Sequence, residues 1–277
     1  MKTLVFDGND FACKKVALVK KIIKDNPQIS KHTLRVYLVG NNPASRMYLS
    51  LKKKLFLSLE IGFEDIYLSE SIMPDKLIKL IGKSNVEEGV GGIVVQLPLP
   101  NHWTELEVRN VLDAINPDKD IDCLTSTNQK LLTLNRPKYI PATVKAVLLI
   151  LKSIKIDKNN IGKYITCILG KSDLVGKPLS DLLRSLGGEV ISCDEYTSNI
   201  CEKTRKSDIV ISATGVPGLL KKHMVKPGAI VIDVGEPKGD VDFENVKKDA
   251  FFITPVPGGV GPVTVVCLLD NFVSSIV

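Results

Sequence analysis

Short apolar runs recur along this chain, most of them closed by glycine or proline and alternating with stretches of helical spacing. LRVYLVG (34–40) and GGIVVQLPLP (91–100) stand in the first half, with FEDIYL (63–68) between them as a further, more polar strand. YITCILG (164–170), EVISC (189–193), DIVISATG (208–215) and AIVIDVG (229–235) stand in the second. Apolar runs this short that do not alternate with polar residues fit strands buried on both faces, as in a parallel sheet covered by crossover helices. Residues 10–23, 44–59, 74–84, 141–154, 178–186 and 198–206 place apolar side chains three and four apart, as helices with one buried stripe do. Asp10 is a candidate N-cap for the first of them. Residues 103–122 read as helix, then loop. The alternation predicts an α/β protein with parallel sheets.

At 277 residues the chain can hold two modest cores. We expect a first domain over 1–122, a boundary within 123–140 and a second domain over 140–257. The apolar segment 262–277 is a final helix that the order of elements allows to return to the first domain. No internal repeat or low-complexity segment interrupts this plan. The net charge of +6 comes from residues such as Lys14, Lys15, Lys52 to Lys54, Lys221 and Lys222, set in helix-like segments with acidic residues nearby. Eight Phe and six Tyr offer few stacking platforms. Solvated faces and steering of a small anion therefore fit the charge better than nucleic acid does. Cysteines 13, 123, 167, 193, 201 and 267 form no CxxC pair and no zinc-like spacing with His32, His102 or His223. Free thiols and no metal site are expected, as in a reducing cytoplasm. MKTLVFDGNDFACKK lacks a signal-peptide apolar core, and nothing approaches 18 apolar residues in a row, so no membrane segment is expected.

In the second half, Gly170-Lys171-Ser172-Asp173-Leu174-Val175-Gly176-Lys177-Pro178 leaves a strand and opens a helix. Such a turn brings backbone N–H groups and a positive helix end to a pyrophosphate, although the full GxGxxG fingerprint is absent. A bare strand–turn–helix of structural type is the alternative. The next strand ends at Asp194 and Glu195, where a carboxylate bonds the adenosine ribose 2′-OH and repels a 2′-phosphate; a solvated turn is the alternative there. Ala213-Thr214-Gly215 and Asp233-Val234-Gly235-Glu236 also follow strands, at the sheet edge where open α/β folds hold ligands. These are the candidate cofactor residues.

In the first half, Tyr48 and Lys52 are four apart and share a helix face. Lys52 heads the run Lys52-Lys53-Lys54, which by itself reads as a solvated face. Gln96 ends an apolar strand, where its amide can orient a lysine or a ligand amide, or merely cap the strand. Asp120 and Asp122 lie in NPDKDIDC, where a loop carboxylate can accept N–H donors from a heterocycle such as a pterin. Asp118 fits the turn alone.

VGNNPASRMYLSLKKK, GGIVVQLPLP, NPDKDIDCLT, GKSDLVGKPLSDLL, PGAIVIDVG and TPVPGGVGPVT together resemble the bifunctional methylenetetrahydrofolate dehydrogenase/methenyltetrahydrofolate cyclohydrolase family. The matches keep family order over nearly the whole chain. The resemblance implies a folate-binding catalytic domain, a Rossmann-like NAD(P)-binding domain and a cleft between them. It implies oxidation of 5,10-methylenetetrahydrofolate with NAD(P)+, then hydrolysis to 10-formyltetrahydrofolate, in one-carbon and purine metabolism, by a homodimer. Lys52 with Tyr48 would be the catalytic pair, Gln96 would tune the lysine and Asp122 would anchor the pterin. Leu97 and Pro98 of the QLPLP segment would line the substrate site. Gly258, Gly259 and Pro262 would do the same beside the folate, their glycines admitting ligand and their prolines stiffening the loop, with Thr264 starting the closing helix.

Three departures from the family pattern carry expectations. Cys123 stands where the family commonly has glycine, adding bulk and restricting φ beside Asp122. PATVKA (141–146) replaces PCTPxG. Asp194, Glu195 and Tyr196 replace the His-Ser-basic pattern of NADP users, so NAD is expected over NADP against the family habit, unless Lys171, Lys177 or Arg184 offsets the repulsion. A dehydrogenase without hydrolase activity and a non-catalytic folate- or nucleotide-binding module are the rival readings.

Overall fold

In the computed structural model, which describes residues 3–277, strands and helices alternate through most of the chain. They are β1 (Leu4–Val5), α1 (Gly8–Asp25), β2 (Thr33–Val39), α2 (Pro43–Ser58), β3 (Gly62–Leu68), α3 (Pro74–Val86), β4 (Val90–Gln96), α4 (Glu105–Asp113), α5 (Ser126–Thr133) and α6 (Ala142–Ser153). There follow β5 (Ile165–Leu169), α7 (Gly176–Ser185), β6 (Glu189–Cys193), α8 (Ile200–Lys206), β7 (Ile209–Ser212), β8 (Ile230–Asp233), α9 (Phe243–Val246), β9 (Phe252–Ile253) and α10 (Val260–Ile276). Contacts divide the chain into two compact units: residues 15–142 with 265–277, and residues 3–14 with 143–264.

The first unit is built on a three-stranded parallel sheet, ordered β3-β2-β4. On one face Tyr37, Val39, Ile93 and Val95 pack with Leu77 and Ile81 of α3 and Val111 and Leu112 of α4. Each such side chain removed from water contributes about 1.5–3 kcal/mol. Elsewhere in this unit, Phe56 of α2 meets Phe63 of β3 and Phe272 of α10 edge-on, at centroid distances of 5.7 and 5.3 Å. Gly92 of β4 leaves room for Phe272 and Ile121, which would stand 3.0–3.2 Å from a Cβ there. Residues 123–140, expected as a boundary, hold α5, whose N-cap Thr125 accepts from Asn128 N. Its polar sequence STNQKLLT has too weak an apolar period to announce a helix.

The second unit carries a six-stranded parallel sheet in the order β1-β9-β8-β7-β5-β6. Strands β7 and β8 are buried throughout, which explains their uninterrupted apolar sequences. β6 and β7 flank β5 on opposite sides, so the sheet changes direction at β5, and the loops leaving β5 and β7 diverge there. The edge strands β1 and β9 escaped the sequence reading because two residues show no period. Their pairing, Leu4 with Phe252 and Val5 with Ile253, draws residues 3–14 away from the 1–122 domain expected for them.

Two further expectations need correction. The cap of α1 is Asp7, whose Oδ1 accepts from Asp10 N at 2.9 Å, and Asp10 lies inside the first turn. α10 begins at Val260, and Thr264 sits one turn inside it, donating from Oγ1 to Val260 O at 3.2 Å. Pro262 is tolerated because the first-turn N–H groups have no intrahelical acceptor.

The bare loop before α10 packs against backbone. Gly8 N donates to Gly258 O at 2.8 Å, and a Cβ on Gly8 would lie 2.0 Å from Gly259 O. Gly258 has φ +92°, and a Cβ on Gly259 would meet Pro255 O at 2.3 Å. The glycines therefore allow the chain's own close approach to α1. Gly8→Ala is expected to destabilise the protein by about 1–3 kcal/mol through overpacking, read from urea unfolding midpoints at constant slope. A change below about 0.5 kcal/mol, the size of an ordinary surface effect, would show that the loop yields freely.

Candidate active site

α2 starts cleanly because Asn42 Oδ1 accepts from Ser45 N at 3.1 Å and Pro43 occupies the first turn. Its buried residues are Ser45, Leu49, Lys52 and Phe56, spaced four, three and four apart. Lys52 thus occupies an inward position on an apolar stripe and is only 6% exposed. Its neighbours rotate away: Lys53 pairs with Asp65 at 2.7 Å, and Lys54 is exposed. The solvated-face reading holds for those two and fails for Lys52. Tyr48 is half-buried one turn before Lys52.

Lys52 Nζ donates to Gln96 Oε1 at 2.9 Å. Gln96 Nε2 donates to Leu97 O at 3.0 Å, which turns the amide oxygen toward the lysine. Ser45 Oγ also donates to Leu97 O at 3.1 Å, fastening the strand end to the first turn of α2. Pro98, next in the chain, is exposed. Burial pushes the Lys52 ammonium below its ordinary pKa, opposed by the charge of Asp122. Burial pushes the Asp122 carboxyl up, opposed by Lys52 and by a hydrogen bond from the Ala142 backbone. Gln96 is uncharged, so unlike a carboxylate it does not restore the ammonium by Coulomb attraction.

The neighbouring aspartates are engaged elsewhere. Asp120 is buried and accepts from Leu124 N, Thr125 N, Thr125 Oγ1 and Asn128 Nδ2, all at 2.7–2.9 Å. It organises the loop, which leaves Asp122 as the candidate ligand-binding carboxylate. Asp118 pairs with Lys138 at 2.5 Å. Cys123 has φ +59°, the left-handed geometry that a glycine would take without penalty. Its bulk is accommodated: the thiol is fully buried, donates to Tyr139 O at 3.3 Å and is pushed far above the usual thiol pKa by burial. Cys123→Gly relieves about 1–2 kcal/mol of backbone strain. It loses about 0.8 kcal/mol per buried carbon and adds unfolded-state entropy, so stability is expected within about 1 kcal/mol of the parent by thermal unfolding.

In the second unit, three loops gather at the carboxyl ends of β5, β7 and β8. Gly170 has φ +99°, donates its N–H to Cys193 O at 2.8 Å and leaves no space for a Cβ, which would lie 2.3 Å from Ala213 O. A Cβ on Gly176 would lie 1.9 Å from Gly170 O, so the turn into α7 closes only with glycine at both places. Lys171 and Ser172 are exposed beyond it, and Val175 is half-buried. Gly215 has φ +70° and faces open space, with no atom within 4 Å of its Cβ position. A sheet switch point, the opening of α7 and an unfilled glycine loop fit a dinucleotide.

Asp233, expected as a cofactor ligand, is 2% exposed and spends both oxygens on Gly235 N, Asp240 N and Val241 N. Burial drives it up to about 6 against those three donors. It shapes the loop that presents Gly235 and Glu236. Asp240, missed from the sequence for want of any periodic signal, does the same after β7 by accepting from Ser212 Oγ, Thr214 N and Thr214 Oγ1. Asp194 Oδ2 accepts from Lys171 Nζ at 2.7 Å and Oδ1 from Thr197 Oγ1 at 2.6 Å. The Lys171 bond, foremost, holds this carboxyl down to about 2. Glu195 is exposed and Tyr196 is 88% exposed. Arg184 is tied to Ser192 Oγ, Val190 O and Asp181. Among the described residues no cluster of His, Cys, Asp or Glu could hold a metal ion, and no helix is long and apolar enough to cross a membrane.

Residues 6–122 match the catalytic domain, and residues 141–277 the NAD(P)-binding domain, of the tetrahydrofolate dehydrogenase/cyclohydrolase family. The chain is 42% identical to the bifunctional protein FolD of Sulfurihydrogenibium sp., covering 97% of this chain and 95% of that one. Among solved structures, FolD of Campylobacter jejuni superposes with a TM-score of 0.90 at 36% identity, over 99% of this chain and 98% of that one. FolD of Trypanosoma brucei, complexed with NADP cofactor and an inhibitor, superposes with a TM-score of 0.92 at 32% identity, over 100% and 98%.

Proposed function

This chain belongs to the tetrahydrofolate dehydrogenase/cyclohydrolase family, and on that premise we propose that Lys52 is the base of its hydrolytic reaction and Asp122 the anchor of its pterin. It is a bifunctional enzyme of folate metabolism, a methylenetetrahydrofolate dehydrogenase and methenyltetrahydrofolate cyclohydrolase, with an NAD(P)-binding domain. The bound nicotinamide dinucleotide supplies a hydride acceptor. The protein's part in that step is alignment, since the methylene carbon must be held in register with its acceptor.

Hydrolysis needs a base. As water oxygen adds to the methenyl carbon, the Lys52 amine takes a water proton. The bond from that carbon to N5 then breaks, N5 keeping the electron pair and gaining a proton while the hydroxyl gives up its own to form the formyl group. The balance is one water consumed and one proton released. A lysine at its ordinary pKa is almost wholly ammonium at neutral pH and has no lone pair for that proton, whereas burial beside an uncharged partner shifts Lys52 toward the amine that can take it. The observation that carries this assignment is the 2.9 Å Lys52–Gln96 bond on the buried stripe of α2. Asp122 accepts N–H donors of the pterin, Tyr48 faces the substrate from the turn before Lys52, and Leu97 and Pro98 line the same site.

Lys171, Ser172, Val175 and Gly176, with the loops at Ala213–Gly215 and Gly235–Glu236, hold the dinucleotide around the turn at Gly170. Asp194 and Glu195 favour NAD over NADP, because Asp194 already neutralises Lys171 in a 2.7 Å ion pair. A homodimer in the cytoplasm completes the reading. Reduced nicotinamide formed from methylenetetrahydrofolate, followed with NAD and NADP in parallel, tests the assignments. Absence of turnover in folded protein would overturn them, and sedimentation as a monomer would remove the dimer.

A further inference from the structure

Along VVCLLDNFV (265–273), within α10, only Asp270 and Asn271 are polar, and Asn271 is 2% exposed. A buried primary amide requires a partner for each hydrogen it carries. Asn271 Nδ2 donates to Ile121 O at 2.9 Å and to Ile140 O at 2.8 Å. Ile121 immediately precedes Asp122. Ile140 lies two residues before Ala142, whose N–H bonds the Asp122 carboxylate. The two hydrogens of one amide therefore join the segment that carries the carboxylate to the segment that carries its backbone donor. On the far side of Asp122, Gln129 Nε2 donates to Cys123 O at 2.6 Å, so the chain is held on both sides of the aspartate.

We propose that Asn271 is a positioning residue for Asp122: it fixes the spacing between the carboxylate and the Ala142 N–H, and through it the aim of Asp122 at the pterin. This rests on the assignment of Asp122 as the pterin anchor. Only an uncharged side chain with two hydrogens on one nitrogen can serve both carbonyls without burying a charge. A displacement of about 1 Å at a substrate-orienting group can cost about 10²-fold in rate, so the effect is measurable.

The test is steady-state kinetics of Asn271→Leu, Asn271→Ala, Asp122→Asn and the double variant Asp122→Asn/Asn271→Leu, with dinucleotide Kd measured by fluorescence on each. Asn271→Leu and Asn271→Ala are expected to raise KM for methylenetetrahydrofolate at least tenfold, with dinucleotide Kd within twofold of the parent. Asp122→Asn raises that KM at least as much, and the double variant adds no more than twofold to it. Unchanged folate KM in Asn271→Leu beside a raised one in Asp122→Asn would overturn the positioning role and leave the anchor standing. Multiplying effects in the double variant would assign Asn271 to packing alone and overturn the proposal. Loss of dinucleotide binding in both Asn271 variants would assign it to folding, with the same consequence. Unchanged folate KM in Asp122→Asn would remove the anchor and the proposal together.

Discussion

Lys52→Met is expected to lower methenyltetrahydrofolate hydrolysis by about 10²–10⁴-fold, the range for loss of a positioned general base, while dehydrogenation falls by less. Methionine suits the comparison because it fills a similar volume on the buried stripe without a hydrogen-bond donor. Hydride transfer asks for alignment, so it depends on the lysine only through substrate orientation. Loss of both activities to the same extent would place Lys52 in binding and sink the base assignment. The pH profile gives an independent reading, because the working species is the neutral amine. Hydrolysis is expected to rise with pH to a plateau, with its midpoint below the ordinary lysine value near about 10.4. Burial causes that depression, and Asp122 opposes it. Gln96→Glu would place a negative charge where the amide oxygen now lies 2.9 Å from Nζ. The midpoint should move to higher pH and hydrolysis at neutral pH should slow, whereas a shift to lower pH would contradict this picture.

Asp194→Ser is expected to move the kcat/KM ratio from NAD toward NADP by about 10–100-fold, because it removes an anion and releases a cation at one stroke. In the parent, Lys171 donates to Asp194 at 2.7 Å, and Thr197 reinforces the carboxylate from the other side. A 2′-phosphate would meet a charge already neutralised, with Glu195 exposed beside it. Freed Lys171 can offer a charge-assisted hydrogen bond worth about 1.5–3 kcal/mol, which is about one to two decades of affinity. Measuring kcat/KM for both dinucleotides in parent and variant decides it. A parent that already prefers NADP, with a ratio unmoved by the substitution, would show that the phosphate is recognised elsewhere.

The residues themselves determined a good deal. Apolar runs between amphipathic segments specified parallel α/β structure, because a strand buried on both faces and a helix with one buried stripe leave different periods in the chain. The spacing of Tyr48 from Lys52, Gln96 at a strand end and the turn at Gly170 singled out candidate positions, since each depends on neighbours within a few residues. What remained invisible was set by partners far away in sequence. No local pattern distinguishes Lys52 from Lys53 and Lys54 with certainty, although the Ser45-Leu49-Phe56 stripe hints at it. Only packing shows that Lys52 is buried, and burial is what depresses its pKa. Likewise Asp120, Asp122 and Asp233 are equally good ligands on paper, and only the count of N–H donors converging on each shows that Asp120 and Asp233 organise their loops. Strands β1 and β9, the Gly8 contact with the glycine loop and the reach of Asn271 to Ile121 and Ile140 are likewise nonlocal. Sequence carries the period of an element over a few residues; tertiary structure decides which polar groups lose water, and desolvation gives this site its chemistry.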